Sequence, residues 1–412
     1  MNSLLYSGIS AELKKHRPYK ELFEAIKAKR FPLHLHGVHG GLSSVLFSKL
    51  RERGGSPVLV VMPTEREAQR LARDVAGFGF NPAILPWWET VPYRGVPRNS
   101  PVFGQRLRVL DGMLDGSLDL IFTGIRAFLS PLPPPEYLKS GYLAVKKGMT
   151  FDPQEFARRL VDNGYFRVQR VSVPGEFALR GEVCDVFMPG DDNPVRIVFG
   201  WDEIEEIRRF DVGSQSSLEI LGSISLRPSR ELVWDDERIA ALRKNAGQLS
   251  ELKDRVDEIV EGWIETLAEG HERYFPLAFA PEERASILDY LGDKVITVFT
   301  DYERCYSAEE SLQREYGAMY RKLRHQEPLP RPERILMPLE ELENSSSALI
   351  RMPLLRSTRP EDHGAAEAAE SPAESLLEEV TPIDRSTRPE LLPAASEIRF
   401  DSDGSRAFFG NI

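Results

Sequence analysis

Cysteine is scarce: 412 residues hold two, Cys184 and Cys305, and neither sits in a CxxC pair or beside a Cys/His cluster. That speaks against a disulfide framework and a structural zinc site, and leaves two ordinary reduced thiols. Long hydrophobic runs are missing as well. A membrane-spanning helix needs about 20 predominantly apolar residues in a row, and no stretch here approaches that. The opening segment offers only Leu4, Leu5 and Tyr6 before Lys14 and Lys15, without the apolar core and small-residue cleavage site of a secretory signal, so the expected location is the cytoplasm. Excess positive charge is absent too. Lys and Arg total 53 against 64 Asp and Glu, a net charge of −11 that disfavours nucleic-acid binding by the whole surface and makes a protein the expected partner.

What is present fits a globular protein of more than one core. At roughly 100–200 residues per domain, the length predicts two to four units. From Leu33 the chain reads as a short apolar strand, a Gly-rich loop at Gly37–Gly41, an amphipathic stretch to Leu50 and a second strand, Val58–Met62. This is βαβ rhythm. Thr64-Glu-Arg-Glu67 is a capping box, and Ala68, Leu71, Ala72 and Val75 continue it at helical spacing. A strand at Ala83–Leu85, a helix at Arg106–Leu114 and a buried parallel strand at Leu118–Phe122 complete an open α/β pattern.

The run Pro131-Leu-Pro-Pro-Pro135 marks a junction, since proline continues neither a helix nor a central strand. Beyond it, Phe177, Leu179, Val183 and Phe187, then Val195, Ile197 and Phe199, alternate as in short strands. Counting by twos puts Arg180 and Glu182 opposite Leu179 and Val183, and Arg196 opposite Ile197, facing solvent or a partner. Asp235–Leu267 reads as one long amphipathic helix, and Lys294–Phe299 as a strand that extends the first sheet. Between Glu361 and Val380 there are seven acidic and no basic residues, so the tract from about Arg356 to Ser396 is a linker by composition. The hexapeptide Arg-Ser-Thr-Arg-Pro-Glu occurs in it twice, at Arg356 and at Arg385. The terminal apolar residues Ile398, Phe400, Phe408 and Phe409 read as the opening of a further domain.

The loop after the first strand stands where a phosphate-binding loop would. A working GxxxxGK[ST] loop cradles phosphates with backbone amides, neutralises them with Lys and holds magnesium with the hydroxyl. Gly37-Val-His-Gly40-Gly41-Leu42-Ser43-Ser44 puts Leu42 at the second required Gly and Ser43 at the Lys, and keeps only Ser44. Neither ATP binding nor a catalytic site is expected from it. His34, His36 and His39 lie beside the loop without acidic or Cys companions at ligand spacing, so no metal is expected. Trp87 and Trp88 suit either a packed loop or base stacking; the acidic chain favours packing.

Several strings, in order, carry a family resemblance: Leu85-Pro-Trp-Trp-Glu-Thr-Val-Pro-Tyr93, Gly164-Tyr-Phe-Arg167, Gly175-Glu-Phe-Ala-Leu-Arg-Gly-Glu-Val-Cys-Asp-Val-Phe187, Arg196-Ile-Val-Phe199 and Asp202–Asp211. The chain resembles the N-terminal, UvrB-like region of the transcription-repair coupling factors, the Mfd family, most clearly over roughly residues 20–230. UvrB proteins keep an intact phosphate loop and an aromatic hairpin, and this sequence has the degraded loop of the Mfd proteins; the alternative is a UvrB-like damage-loading ATPase, and a bland third is a scaffold that only restrains a motor. The resemblance implies an α/β fold in which an open parallel sheet (residues 1–130 and 213–350) carries an inserted β-rich α+β domain (131–212), followed by an acidic linker (351–396) and the start of another domain (397–412). It implies that the β-rich domain binds UvrA through Arg167 and Arg180, with Phe187 a weaker third. It further implies that RNA polymerase, double-stranded DNA, ATP and Mg belong to an ATP-driven translocase motor beyond residue 412, with which this region can make an intramolecular contact.

Overall fold

The computed structural model describes residues 4–88, 93, 100–201, 203–249, 257–258, 260–262, 272–326, 329–353 and 396–400. Its strands, in chain order, are β1 (Leu33–His36), β2 (Val58–Met62), β3 (Ala83–Leu85), β4 (Leu120–Gly124), β5 (Leu143–Lys146), β6 (Phe166–Arg167), β7 (Glu176–Arg180), β8 (Val183–Val186), β9 (Val195–Phe199), β10 (Ile204–Phe210), β11 (Ser217–Leu221), β12 (Ser223–Leu226), β13 (Ile296–Thr300), β14 (Ala348–Met352) and β15 (Ser396–Arg399). The principal helices are α1 (Leu4–Leu13), α2 (Arg17–Lys27), α3 (Gly41–Gly54), α4 (Glu65–Gly77), α5 (Pro101–Leu114), α6 (Ile125–Phe128), α7 (Pro135–Ser140), α8 (Pro153–Asp162), α9 (Asp236–Gly247) and α10 (Tyr302–Leu323).

Seven strands form one parallel sheet in the order β15-β1-β14-β13-β2-β4-β3. Its central strands are buried on both faces, which is why Val58-Leu-Val-Val61 and Ile296-Thr-Val-Phe299 are apolar without alternation. On one face α1 to α4 pack Tyr6, Leu22, Phe47, Leu50, Leu71 and Val75 against Val58, Val60 and Phe122. On the other, α5 and α10 pack Leu107, Leu110, Leu312 and Tyr316 against Leu59, Val61, Ile121 and Phe299. Capping follows the sequence closely: the Thr64 hydroxyl accepts from the Glu67 amide at 3.3 Å, and Asp152 caps α8 by accepting from the amides of Gln154 and Glu155 at 2.9 and 2.8 Å.

The second sheet is mixed and separate, in the order β11-β10-β9-β8-β7-β6, antiparallel except for the β6–β7 pair. One face is covered: Phe156, Ala157 and Leu160 of α8, with Leu143, Val145 and Leu226 of the β5–β12 pair, bury Phe177, Cys184, Val186, Val195, Ile197, Phe199, Ile204 and Ile207. The other face carries a smaller cluster, Val171, Ala178, Phe187 and Phe210, at one end and is open beyond it.

Three expectations change. β11 and β12 pair with β10 and β5, so the β-rich part runs past residue 212 to Leu226; Leu218 and Ile220 of β11 are apolar yet exposed. The helix expected over Asp235–Leu267 ends at Gly247 among the described residues, and most of the chain from there to Leu267 lies outside them. Ser396–Arg399 joins the first sheet instead of opening a further domain: it pairs in parallel with β1, and Ile398 and Phe400 are buried in the first core. The linker and residues 401–412 lie outside the described residues.

Helix α5 joins the two sheets. It is buried nearly all round, and a Cβ on its Gly104 would lie 2.3 Å from the backbone N of Gly190 in the second unit. Nearby, Arg227 donates to Asp111 of α5 at 2.8 Å and also to Asp191, and Tyr142 donates to Asp111 at 2.6 Å. The deepest tie is Arg106, wholly buried, whose Nε and Nη2 donate to the two oxygens of Glu231 at 2.5 and 3.0 Å while Nη1 donates to the Pro86 carbonyl at 2.5 Å. The guanidinium lies 4.7 Å from the ring of Trp88, whose indole N–H also donates to Glu231 at 3.3 Å. Trp87 and Trp88 are thus core residues with their faces turned into the protein.

Candidate functional site

Two places answer to the sequence-predicted sites: the loop after β1 and the open face of the six-stranded sheet. In the loop, Gly37 has φ 78°, and a Cβ there would lie 1.8 Å from the carbonyl oxygen of Phe400, so close packing of the β15 end accounts for this glycine. The Phe400 amide donates to the His36 carbonyl at 2.8 Å. Gly40 is the N-cap of α3 and Gly41 its first residue. Leu42 is half-buried against the first core, and Ser43 and Ser44 are buried, the Ser44 hydroxyl without a hydrogen-bond partner among the described residues. Lys49, further along α3, is held by Glu52 at 2.5 Å and lies 4.6 Å over the Tyr6 ring. His34 is held below the usual imidazole range, first by burial and then by neighbouring Arg351. Among the described residues no group of three metal-ligating side chains converges.

The open face is built by strand register. Arg180, Val183, Val198 and Glu206 are successive cross-strand neighbours on β7 to β10, and in the adjacent row stand Ala178, Asp185, Arg196, Arg208 and Ile220. Val183 therefore shares the face of Arg180, not the opposite one: the Gly181-Glu182 turn, with Gly181 at φ 59°, resets the alternation that counting by twos assumed.

At the centre of the face Asp185 is buried and accepts three charged hydrogen bonds. Arg196 donates Nε to Oδ1 at 2.6 Å and Nη2 to Oδ2 at 2.8 Å, and Arg180 donates Nη2 to Oδ2 at 2.9 Å. Arg196 is further fixed 4.3 Å over the Phe210 ring and by Gln215 Oε1 at 3.0 Å, and the hydrogen bonds of Asp185 hold its guanidinium pKa above the ordinary value. Arg180 is held on one side only; half of its side chain remains exposed and can offer N–H groups outward.

Arg167 and Phe187 are placed differently. Arg167 is exposed, but on β6 it stands beside Phe177, whose side chain faces the covered side, while Phe166, 52% exposed, stands beside Glu176 on the side of Arg180. Arg167 and Arg180 thus flank the sheet rather than share a row. Phe187 is 6% exposed and packs with Val171, Ala178 and Phe210. Ala178 and Phe210 stand on the side of Asp185 and Arg196, so Phe187 packs over one end of the open face with its ring largely buried. The sequence missed Asp185 and Arg196 as a pair; the signal available was an acidic residue alternating into an apolar strand, Val183-Cys-Asp-Val186.

A family model described as the UvrB interaction domain matches residues 143–232, which include this sheet. The transcription-repair-coupling factor of Bacillus subtilis is 30% identical over 323 residues, covering 75% of this chain and 27% of the relative. That of Haemophilus influenzae is 31% identical over 316 residues with the same coverage, and that of Escherichia coli 28% over 263 residues, 63% of this chain and 23% of the relative. The protein is thus one that sets a UvrB interaction domain beside a parallel α/β sheet. It is related to the transcription-repair-coupling factors, and it spans about a quarter of the length of the curated relatives it matches.

Proposed function

We propose that this chain is the UvrA-docking part of a transcription-repair-coupling factor, with a UvrB-like parallel sheet whose nucleotide loop has fallen out of use and a β-rich unit that recruits UvrA to RNA polymerase stalled at DNA damage. The observation that carries the reading is the open face of the six-stranded sheet, where Arg180 and Arg196 are fixed by a buried carboxylate inside the segment matched by the UvrB interaction domain. In a chain of net charge −11, such a cationic face selects an acidic protein surface. The whole factor would be an ATP-driven translocase on double-stranded DNA in the cytoplasm, with its polymerase contacts, ATP and Mg in the motor beyond residue 412. The direct test is capture of UvrA by the 412-residue chain with and without residues 143–232; equal capture by both overturns the docking reading and leaves a scaffold role.

The UvrB-like ATPase alternative requires a phosphate site at the loop after β1. Leu42 in place of glycine, buried Ser43 and Ser44, and Lys49 committed to Glu52 all argue against it. Titration with a fluorescent ATP analogue is expected to give no saturable binding at micromolar concentration. Saturable binding that Ser44→Ala, which removes only a hydroxyl, weakens would reinstate the ATPase.

A further inference from the structure

Two apolar side chains stand in solvent on an edge strand: Leu218 is 55% and Ile220 77% exposed on β11, which among the described residues pairs only with β10. Edge strands are ordinarily guarded by charge, proline or a bulge. Here the edge has a register irregularity opposite Arg209 and Phe210, which leaves Leu218 without a cross-strand neighbour, and one charge, Glu219, which stands beside Arg209 on the other side of the strand; neither covers Leu218 or Ile220. Ile220 is the cross-strand neighbour of Arg208, in the row that continues through Arg196 to Asp185. Four strand spacings of about 4.8 Å put Ile220 roughly 19 Å from the β7 end of that row. Both ends fit within the roughly 800 Å² that one partner contributes to a standard interface.

We propose that the docking face continues onto β11, with Leu218 and Ile220 as its apolar half and Arg180 and Arg196 as its cationic half, so that the partner is an acidic protein surface carrying an apolar patch beside its carboxylates. This rests on the reading of the same face as the UvrA-docking site. Charge complementarity selects the occupant: Arg180 and Arg196 share the single carboxylate of Asp185 and so leave one positive charge in excess, while Arg208 is paired with Glu206; in an acidic chain that local excess disfavours a second copy and favours a partner of opposite local sign. Partly exposed Val183 and Val198 lie between Arg180 and Glu206 and join the two halves into one contact area with an apolar centre.

The test measures UvrA binding by the whole chain, as wild type, as Leu218→Ser/Ile220→Ser and as Arg180→Ala, across a salt series, with circular dichroism and thermal melting to confirm folding. The double serine variant is expected to bind about tenfold more weakly with the wild-type salt slope, because its charges are intact. Arg180→Ala is expected to weaken binding and flatten the slope. Wild-type affinity in the folded double serine variant overturns the proposal while the effect of Arg180→Ala keeps the docking reading. Absence of UvrA binding by the wild type overturns both. Concentration-dependent dimerisation of the wild type that the serines abolish, with UvrA affinity unchanged, would assign β11 to self-association and overturn the proposal.

Discussion

Glu231→Ala is expected to lower folding stability by about 3–5 kcal/mol, the cost of leaving a buried charge without its partner. Arg106 is wholly buried, and Glu231 supplies both of its carboxylate contacts; with Glu231 gone, the guanidinium keeps, among the described residues, only the Pro86 carbonyl and the face of Trp88. The pair spans 125 residues and ties α5 to the segment that leaves the β-rich unit, so the loss should loosen the joint between the two sheets. Urea unfolding followed by tryptophan fluorescence reads this directly, because Trp88 lies against the pair. The double change Arg106→Met/Glu231→Leu should recover most of the loss, since a well-packed apolar pair removes the desolvation cost along with the attraction. A loss below about 1 kcal/mol for Glu231→Ala would show that water reaches the guanidinium and that the joint is held by the Arg227 network instead.

Local chemistry was legible in the sequence and long-range chemistry was not. The Thr64 cap, the α4 stripe and strand β2 follow from residues a few positions apart and stand where the pattern put them; β4, expected over Leu118–Phe122, begins two residues later, and the Glu67 carboxylate accepts from the Thr64 hydroxyl instead of closing the box on its amide. What pairs across many residues left little trace. Arg106, in a helix α5 buried nearly all round, and Glu231, 125 residues on, read as ordinary charges. β15 joins β1 from about 360 residues away in sequence, where only Ile398 and Phe400 hinted at burial. β11 was missed because its alternation points its apolar residues at solvent.

The candidate site shows the same division. Alternation along β7 correctly separated Arg180 from Leu179, because parity holds within a strand. It failed across the Gly181-Glu182 turn for Val183, and it could not place Arg167, whose face is set by the register of β6 against β7 rather than by its own neighbours. Phe187 entered through the family resemblance alone; its packing against Val171, Ala178 and Phe210, which buries most of the ring, joins residues too far apart for the alternation to show.

The double change Arg167→Ala/Arg180→Ala is expected to weaken UvrA binding at least about tenfold, since truncating one partner of a well-made interfacial charge pair costs about 2–5 kcal/mol. The two residues should not contribute equally. Arg180 is held at one end by Asp185 and therefore loses little freedom on docking, whereas among the described residues no such fixing carboxylate stands against Arg167 on the two-residue strand β6. Arg180→Ala alone should then produce most of the effect, and Arg180→Lys should recover little of it, because an ammonium lacks the planar fork that can donate to Asp185 and to a carboxylate at once. Folding should survive: Asp185 keeps both bonds from Arg196 when Arg180 is removed. Arg158→Ala, an exposed position on α8 across the sheet from the open face, serves as the control and should bind normally. Affinities of the single and double variants at two salt concentrations separate the outcomes. A normal Arg180→Ala beside a weakened Arg167→Ala would move the contact to the β6 edge, and normal binding by the double variant would remove both arginines from the interface.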